Sequence, residues 1–211
     1  GAFLVVEAVP EKIEIKKDTF KKVDELADAE TIIVSNTSGL SISEIASVTN
    51  RQDKVMGAHF FYPAPVMKLL ELVRGLVTSD ETYDVVKEFA GKIGKTTVDA
   101  PEFPGFMVNR ILVPMQNEAA FMVMEGSKPE DVDNAMKLGC NHPMGPIELT
   151  DFVGIDTMLA TMTGLYNGFH DSKYRPCPLL ETMVKSGMLG KKTGQGFYKY
   201  DEKGNKIGSN F

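Results

Sequence analysis

The apolar and polar positions of this chain change period about halfway along it. "FLVVEAV" (Phe3–Val9) is a short, continuous, valine-rich run and reads as a buried strand. In "PEKIEIKKDTFKKVDELAD", Ile13, Ile15, Phe20, Val23 and Leu26 leave a charged opposite face, which predicts an amphipathic helix opening near Pro10. "TIIVSNTSG" is a second buried strand ending in turn residues, and "SISE" (Ser41–Glu44) matches a capping box that starts a short helix. "KVMGAHFF" and "MKLLELV" read as a third and a fourth strand. "DETYDVVKEFAGKIG" then reads as a helix and "KTTVDA" as a closing strand. Strands alternating with helices predict an α/β fold, with a parallel sheet covered by helices.

After "PEFPG" (Pro101–Gly105) almost every segment has helical period. Met107–Met124 predicts a long apolar helix, and "KPEDVDNAMKLG" a capped one ending at Gly139. "MGPIELTDFVGIDTMLATMTGLYNGF" predicts two more, and "CPLLETMVKSGML" another. The Gly- and Lys-rich tail, "GKKTGQGFYKYDEKGNKIGSNF", reads as irregular. The boundary falls near residue 102, giving a sheet domain over 1–102 and a helical domain over 103–211.

Composition narrows the function classes. The chain has 211 residues, of which 43% are hydrophobic and 25% charged, an ordinary globular mixture able to bury a core. A net charge of −6 and a pI near 5.2 argue against a nucleic-acid-binding surface, which is normally basic. No apolar run approaches the roughly 18 residues that span a bilayer, so no membrane partner is expected. Cys140 and Cys177 have neither metal-type nor CxxC spacing, which makes a reduced, cytoplasmic protein the default. A very apolar strand beginning almost at the first residue normally has neighbours on both sides. The expectation is therefore a fragment, a processed product or a trimmed chain.

In an open α/β sheet, ligands bind beyond the carboxyl ends of the strands. Glu7 closes the first strand, and Asn36, Thr37 and Ser38 close the second. Ser38 either faces such a crevice or belongs to a plain turn with a helix cap after it. "GAHFFYPAPVMKLLELVRG" places one histidine and one glutamate in apolar surroundings. Alternation puts His59 on a face with Val55, Gly57 and Phe61, and Glu71 on a face with Leu69 and Val73. The short connection "YPAPVM" suits antiparallel neighbours, whose facing residues lie about 5 Å apart. A carboxylate on one imidazole nitrogen fixes the tautomer and aims the other nitrogen outward, as a general base requires. The competing reading is a structural ion pair. Asn109, in "PGFMVNRILVP", either ties its helix to the sheet domain or faces a ligand. Lys191 and Lys192 read as solvated more readily than as anion contacts, and His142 and His170 lie in polar loops. Met107, Met115, Met122 and Met124 read as core or subunit contact, not as a metal site.

Six blocks occur in order: "VVEAVPE", "SNTSGLSISEIA", "HFFYPAPVMKLLELV", "PGFMVNRILVP", "DNAMKLGCNHPMGPIELTDFVGID" and "GKKTGQGFYKY". Together they resemble the L-3-hydroxyacyl-CoA dehydrogenase family, especially its bacterial 3-hydroxybutyryl-CoA members. The resemblance implies a partial Rossmann-type doubly wound sheet followed by an all-α domain that forms a homodimer. It also implies interconversion of L-3-hydroxyacyl-CoA and 3-ketoacyl-CoA with NAD, in fatty-acid and butanoate metabolism. By position, the family's catalytic histidine falls on His59 and its glutamate partner on Glu71. Its substrate-binding serine and asparagine fall on Ser38 and Asn109. Cofactor contacts are implied at Glu7, Lys12, Ser38, Tyr62 and Lys192.

The sequence departs from that family at three places. Tyr62 stands where the family usually has asparagine near the nicotinamide, and Gly39 stands where it has a second serine. The Gly-rich fingerprint and the acidic residue that selects NAD over NADP would precede Gly1. NADP therefore stays open as cofactor, and so does activity of the 211 residues alone, for which weak NAD binding is expected. The alternatives are a non-catalytic dimerising or acyl-CoA-binding fragment, and a related dehydrogenase of another hydroxy acid.

Overall fold

Five of the apolar runs pair into one sheet. β1 (Leu4–Glu7), β2 (Ile32–Ser35) and β3 (Val55–Phe60) are parallel. β4 (Leu69–Arg74) turns back antiparallel to β3, and β5 (Thr96–Ala100) is parallel to β4. Spatial order follows chain order. The helices α1 (Ile13–Leu26), α2 (Ile42–Ala46) and α3 (Asp80–Lys92) connect the parallel strands. This computed structural model describes residues 1–211, which form two units, Gly1–Met107 and Val108–Phe211.

Alternation along the strands divides the first unit's core between two faces of the sheet. Ile33, Val55 and Val73 pack with Phe20 of α1 and with Ile42 and Ile45 of α2. Ile32, Val34, Met56, Leu70 and Leu72 pack on the other face with Val86 and Ala90 of α3. A sheet covered on both faces needs apolar residues at every position, which is why its strands read as continuous runs. Ser41 caps α2 as the capping-box pattern predicts, its hydroxyl accepting the Glu44 N–H at 3.1 Å.

One stripe differs from the pattern. α1 forms, but Lys16, Phe20 and Asp24 face inward, while Leu26 is 87% exposed and Ile15 is also at the surface. The inward charges are compensated. Lys16 Nζ lies 2.7 Å from Glu7 Oε1, and Asp24 accepts from Arg51 Nε at 2.7 Å and from the Asn50 N–H at 2.9 Å. Burial pushes the Asp24 carboxyl up, but the bonds from Asn50 and Arg51 outweigh it and hold it below its ordinary value. Arg51 also donates to the carbonyls of Asp24 and Ala27, at the end of α1 where carbonyls lack helical partners. A buried charge with both a partner and hydrogen bonds can occupy a position that periodicity assigns to an apolar residue.

The second unit packs α4 (Val108–Met124), α5 (Pro129–Gly139), α6 (Pro146–Val153), α7 (Ile155–Phe169) and α8 (Pro178–Lys185) around Val113, Ile147, Ile155, Met158, Met162 and Leu180. Its tail is not irregular. Tyr198–Tyr200 (β6) and Lys206–Ser209 (β7) form an antiparallel hairpin, and Phe197 and Tyr198 enter the helical core. The cause is Asp151 on α6, whose carboxylate accepts the N–H groups of Phe197 at 2.9 Å and Tyr198 at 2.8 Å, and the Tyr200 hydroxyl at 3.1 Å. A Cβ on Gly196 would sit 2.1 Å from Asp151 Oδ1, so only glycine permits this approach. Asp133 works beside it, accepting the Tyr198 hydroxyl at 2.6 Å and the Ile147 N–H at 2.8 Å. No helix of the chain is long and apolar enough to cross a membrane.

This anchor makes stability depend on pH. Burial raises the Asp151 carboxyl from 3.8 to about 6, against the hydrogen bonds it accepts. Ionising it therefore costs more in the fold than in the unfolded chain. Its contribution is fully present below 3.8 and is lost as pH rises through about 6. At about 1.4 kcal/mol per pKa unit, the loss is on the order of 3 kcal/mol. Urea unfolding between these pH values should show stability falling with pH more steeply in the parent than in Asp151→Asn, which has no proton to lose. Equal slopes would contradict the assignment.

Candidate active site

The antiparallel turn from β3 to β4 sets the central geometry. The register pairs His59 with Glu71 directly across the strands. Their side chains meet on the α1/α2 face, with His59 Nδ1 2.7 Å from Glu71 Oε2. Glu71 is fully buried and His59 is 6% exposed. An ionised carboxylate can only accept, so Nδ1 carries the hydrogen and Nε2 is left with its lone pair. Glu71 Oε1 also accepts the Met107 N–H at 3.1 Å. The imidazole lies between Phe61 and Phe106, with ring centroids 4.6 Å and 5.8 Å away. A ring so held has a fixed orientation and a low-dielectric surround, which strengthens the bond between histidine and carboxylate.

Ser38 lies beyond the carboxyl end of β2, next to β3, and is half-buried. Its segment is tied down by hydrogen bonds to two carboxylates. Glu11 Oε1 accepts the Thr37 hydroxyl at 2.5 Å and the Ser38 N–H at 2.8 Å. Glu7 Oε2 accepts the Ser35 hydroxyl at 2.6 Å, and Ser35 Oγ accepts the Thr37 N–H at 3.2 Å. Lys16 joins the two carboxylates, 2.7 Å from Glu7 and 3.4 Å from Glu11, and its third partner is the Val9 carbonyl at 3.2 Å. The ammonium thus has two hydrogen-bond acceptors and a second carboxylate beside it. Asn36 Oδ1 accepts the Phe60 N–H at 2.8 Å and closes the gap between the ends of β2 and β3.

Six of the residues singled out in the sequence lie in the first unit. His59 and Glu71 touch. Glu7 is buried with both carboxylate oxygens engaged within the protein, so it acts on its surroundings through Lys16 and Ser35. Lys12 is exposed just before α1, and Tyr62 is 86% exposed after β3. Asn109 and Lys192 belong to the second unit. Asn109 is half-buried in the first turn of α4, and Lys192 pairs with Asp156 in the first turn of α7. Sequence reasoning placed Thr37 at the end of β2 but missed Glu11 and Lys16, which hold it and Glu7 in place. The available signal was Lys16 itself, a lysine three residues after Ile13 and four before Phe20.

Residues 1–103 match the NAD binding domain of 3-hydroxyacyl-CoA dehydrogenase, and residues 105–200 match its C-terminal domain. The probable 3-hydroxybutyryl-CoA dehydrogenase of Bacillus subtilis is 55% identical over 96% of this chain and 71% of its own length. The 3-hydroxybutyryl-CoA dehydrogenase of Clostridioides difficile is 52% identical over 94% of this chain and 71% of its own. The crystal structure of (S)-3-hydroxybutyryl-CoA dehydrogenase from Ralstonia eutropha superposes with a TM-score of 0.92 at 49% identity, covering 95% of this chain and 71% of that one. A sheet that matches an NAD binding domain and is followed by a helical unit defines an oxidoreductase whose cofactor is NAD. The chain belongs to the 3-hydroxyacyl-CoA dehydrogenase family.

Side chains in the first unit could meet the nicotinamide half of that cofactor. Lys12, Ser38 and Tyr62 follow the carboxyl ends of β1, β2 and β3, and the Lys12 ammonium and the Tyr62 phenol are exposed there. A carboxamide and ribose hydroxyls take such donors, and Glu7, already satisfied, adds no free carboxylate to repel phosphate.

Proposed function

We propose that the enzyme to which this chain belongs oxidises L-3-hydroxybutyryl-CoA to acetoacetyl-CoA, and reduces acetoacetyl-CoA in the reverse direction, with His59 as the catalytic acid–base; activity of the 211 residues alone stays open. The observation that carries the proposal is the buried contact of 2.7 Å between His59 Nδ1 and Glu71 Oε2. With Nδ1–H committed to Glu71, Nε2 is the ring atom able to take the proton of the substrate 3-hydroxyl. NAD, when bound, accepts the hydride from C3. Glu71 stabilises the imidazolium formed in that step, which makes it a positioning carboxylate. Ser38 and Asn109 hydrogen-bond the C3 oxygen, and Lys12, Tyr62 and Lys192 are assigned to the cofactor side. Glu7 supports that side through Lys16. In reduction the imidazolium returns its proton from Nε2 to the forming alkoxide.

Residues 1–102 serve as part of the NAD-binding domain and residues 103–211 as the dimerisation and substrate domain. The setting is fatty-acid and butanoate metabolism in the cytoplasm. A panel of 3-hydroxyacyl-CoA chain lengths, assayed with NAD and with NADP, tests this. The four-carbon substrate with NAD should be fastest. No oxidation of any 3-hydroxyacyl-CoA, or faster oxidation of a free hydroxy acid, would overturn it.

The second unit is also assigned the homodimer contact. Ile111 is 74% exposed, and Phe152, Met122 and Met124 are also large apolar side chains at the surface. Apolar contacts are not screened by salt, so light scattering should give a dimer at low and at high ionic strength. A monomer at micromolar concentration would contradict the assignment.

A further inference from the structure

We infer that Glu102 is a positioning residue for the His59–Glu71 pair, acting through the turn that runs from Phe103 to Met107. The inference rests on the reading of His59 as the acid–base. Three observations in the first unit carry it.

Glu102 bridges two segments distant in the chain. Its Oε1 accepts the Ser43 N–H at 2.6 Å and the Ser41 hydroxyl at 2.8 Å, and its Oε2 accepts the Ser43 hydroxyl at 2.6 Å. Ser43 Oγ in turn accepts the Leu76 N–H at 2.7 Å, just after β4. Glu102 therefore fixes the start of the turn to α2 and, through Ser43, to the strand that carries Glu71.

The turn itself is strained. Gly105 has φ 74°, and Phe106, which is not glycine, has φ 49°. A left-handed non-glycine residue is strained and persists where its surroundings hold it. Phe106 is 1% exposed and its ring packs beside the His59 imidazole.

The turn touches the parts of the site that must be in register. The Met107 N–H donates to Glu71 Oε1 at 3.1 Å, and Phe106 flanks His59. A Cβ on Gly39 would lie 2.8 Å from the Gly105 nitrogen, so the turn also abuts the residue after Ser38. Releasing Glu102 lets the turn relax. Phe106 then leaves the imidazole, and Glu71 Oε1 loses a donor while still buried. A buried carboxylate that loses one of its donors shifts toward those that remain and loosens its hold on Nδ1–H.

The test uses Glu102→Ala and Glu102→Gln in the enzyme, with His59→Gln as reference. Steady-state kinetics are read beside the proton NMR signal of His59 Nδ1–H. Glu102→Ala should lower kcat about tenfold or more, as a small misplacement of reacting groups does, with KM for the acyl-CoA little changed. The Nδ1–H signal should weaken through faster exchange. Glu102→Gln keeps a carbonyl acceptor for Ser43 but not the second oxygen, so it should fall between parent and Glu102→Ala. Unchanged kcat and an unchanged Nδ1–H signal in folded Glu102→Ala would overturn the inference. So would a loss of turnover that follows melting temperature while the Nδ1–H signal stays intact. If Glu102→Ala does not fold, Glu102→Gln decides by the same two readouts. Full activity in His59→Gln would instead overturn the reading of the site, whatever Glu102 does.

Discussion

In the complete enzyme, His59→Gln is expected to lower turnover by about 100-fold or more, the scale of losing a positioned general base. Glutamine at this position can still donate to Glu71 through its amide, so the buried carboxylate keeps a partner and β3 keeps its register. What disappears is a group able to carry a proton. The substrate KM should therefore change far less than kcat, because the removed interaction is made in the transition state and not on binding. Stopped-flow and steady-state measurements on the purified variant check both quantities. Near-parental turnover would end the assignment.

Glu71→Gln is expected to cost nearly as much, for a different reason. The volume is kept, and the amide oxygen can go on accepting the Met107 N–H that Glu71 now receives at 3.1 Å. The amide nitrogen then faces His59 Nδ1, where the carboxylate oxygen lies at 2.7 Å. Two donors cannot share that contact, so Nδ1 must become the acceptor and the ring hydrogen moves to Nε2. The imidazole stays in place with its lone pair on the wrong side. The charge that stabilises the imidazolium is lost as well. Turnover should fall by about 100-fold, with melting temperature far less affected than in Glu71→Ala, which leaves a cavity in the buried sheet. If Glu71→Gln kept turnover and Glu71→Ala lost it through unfolding alone, the carboxylate would be structural.

Parts of this arrangement are legible in the residues themselves. His59 and Glu71 could be matched because strand side chains alternate strictly and the "YPAPVM" connection is short enough to force neighbours. Two local rules sufficed to fix a contact between residues 12 positions apart. Features that depend on a distant partner were not legible. α1 turns Lys16 and Asp24 inward because Glu7 and Arg51 compensate them. Periodicity has no means of pairing a charge with its partner on another element. The tail looks irregular by composition, yet Asp151, 46 residues before Phe197, organises it into a hairpin. Glu102 reads as one acid in a proline-rich linker, since its partner Ser43 is 59 positions away. Ser38 was visible as a candidate because it follows a strand, but the carboxylates of Glu7 and Glu11 that hold its turn were not visible as a pair.

The central claim is that the neutral His59 ring carries its hydrogen on Nδ1, toward Glu71, and presents a lone pair at Nε2. Nitrogen-15 NMR of the histidine rings reads this directly, because a protonated and an unprotonated ring nitrogen differ widely in chemical shift. The account predicts one histidine, absent from the spectrum of His59→Gln, with Nδ1 protonated and Nε2 bare. A neutral His59 ring with its hydrogen on Nε2 would contradict the account.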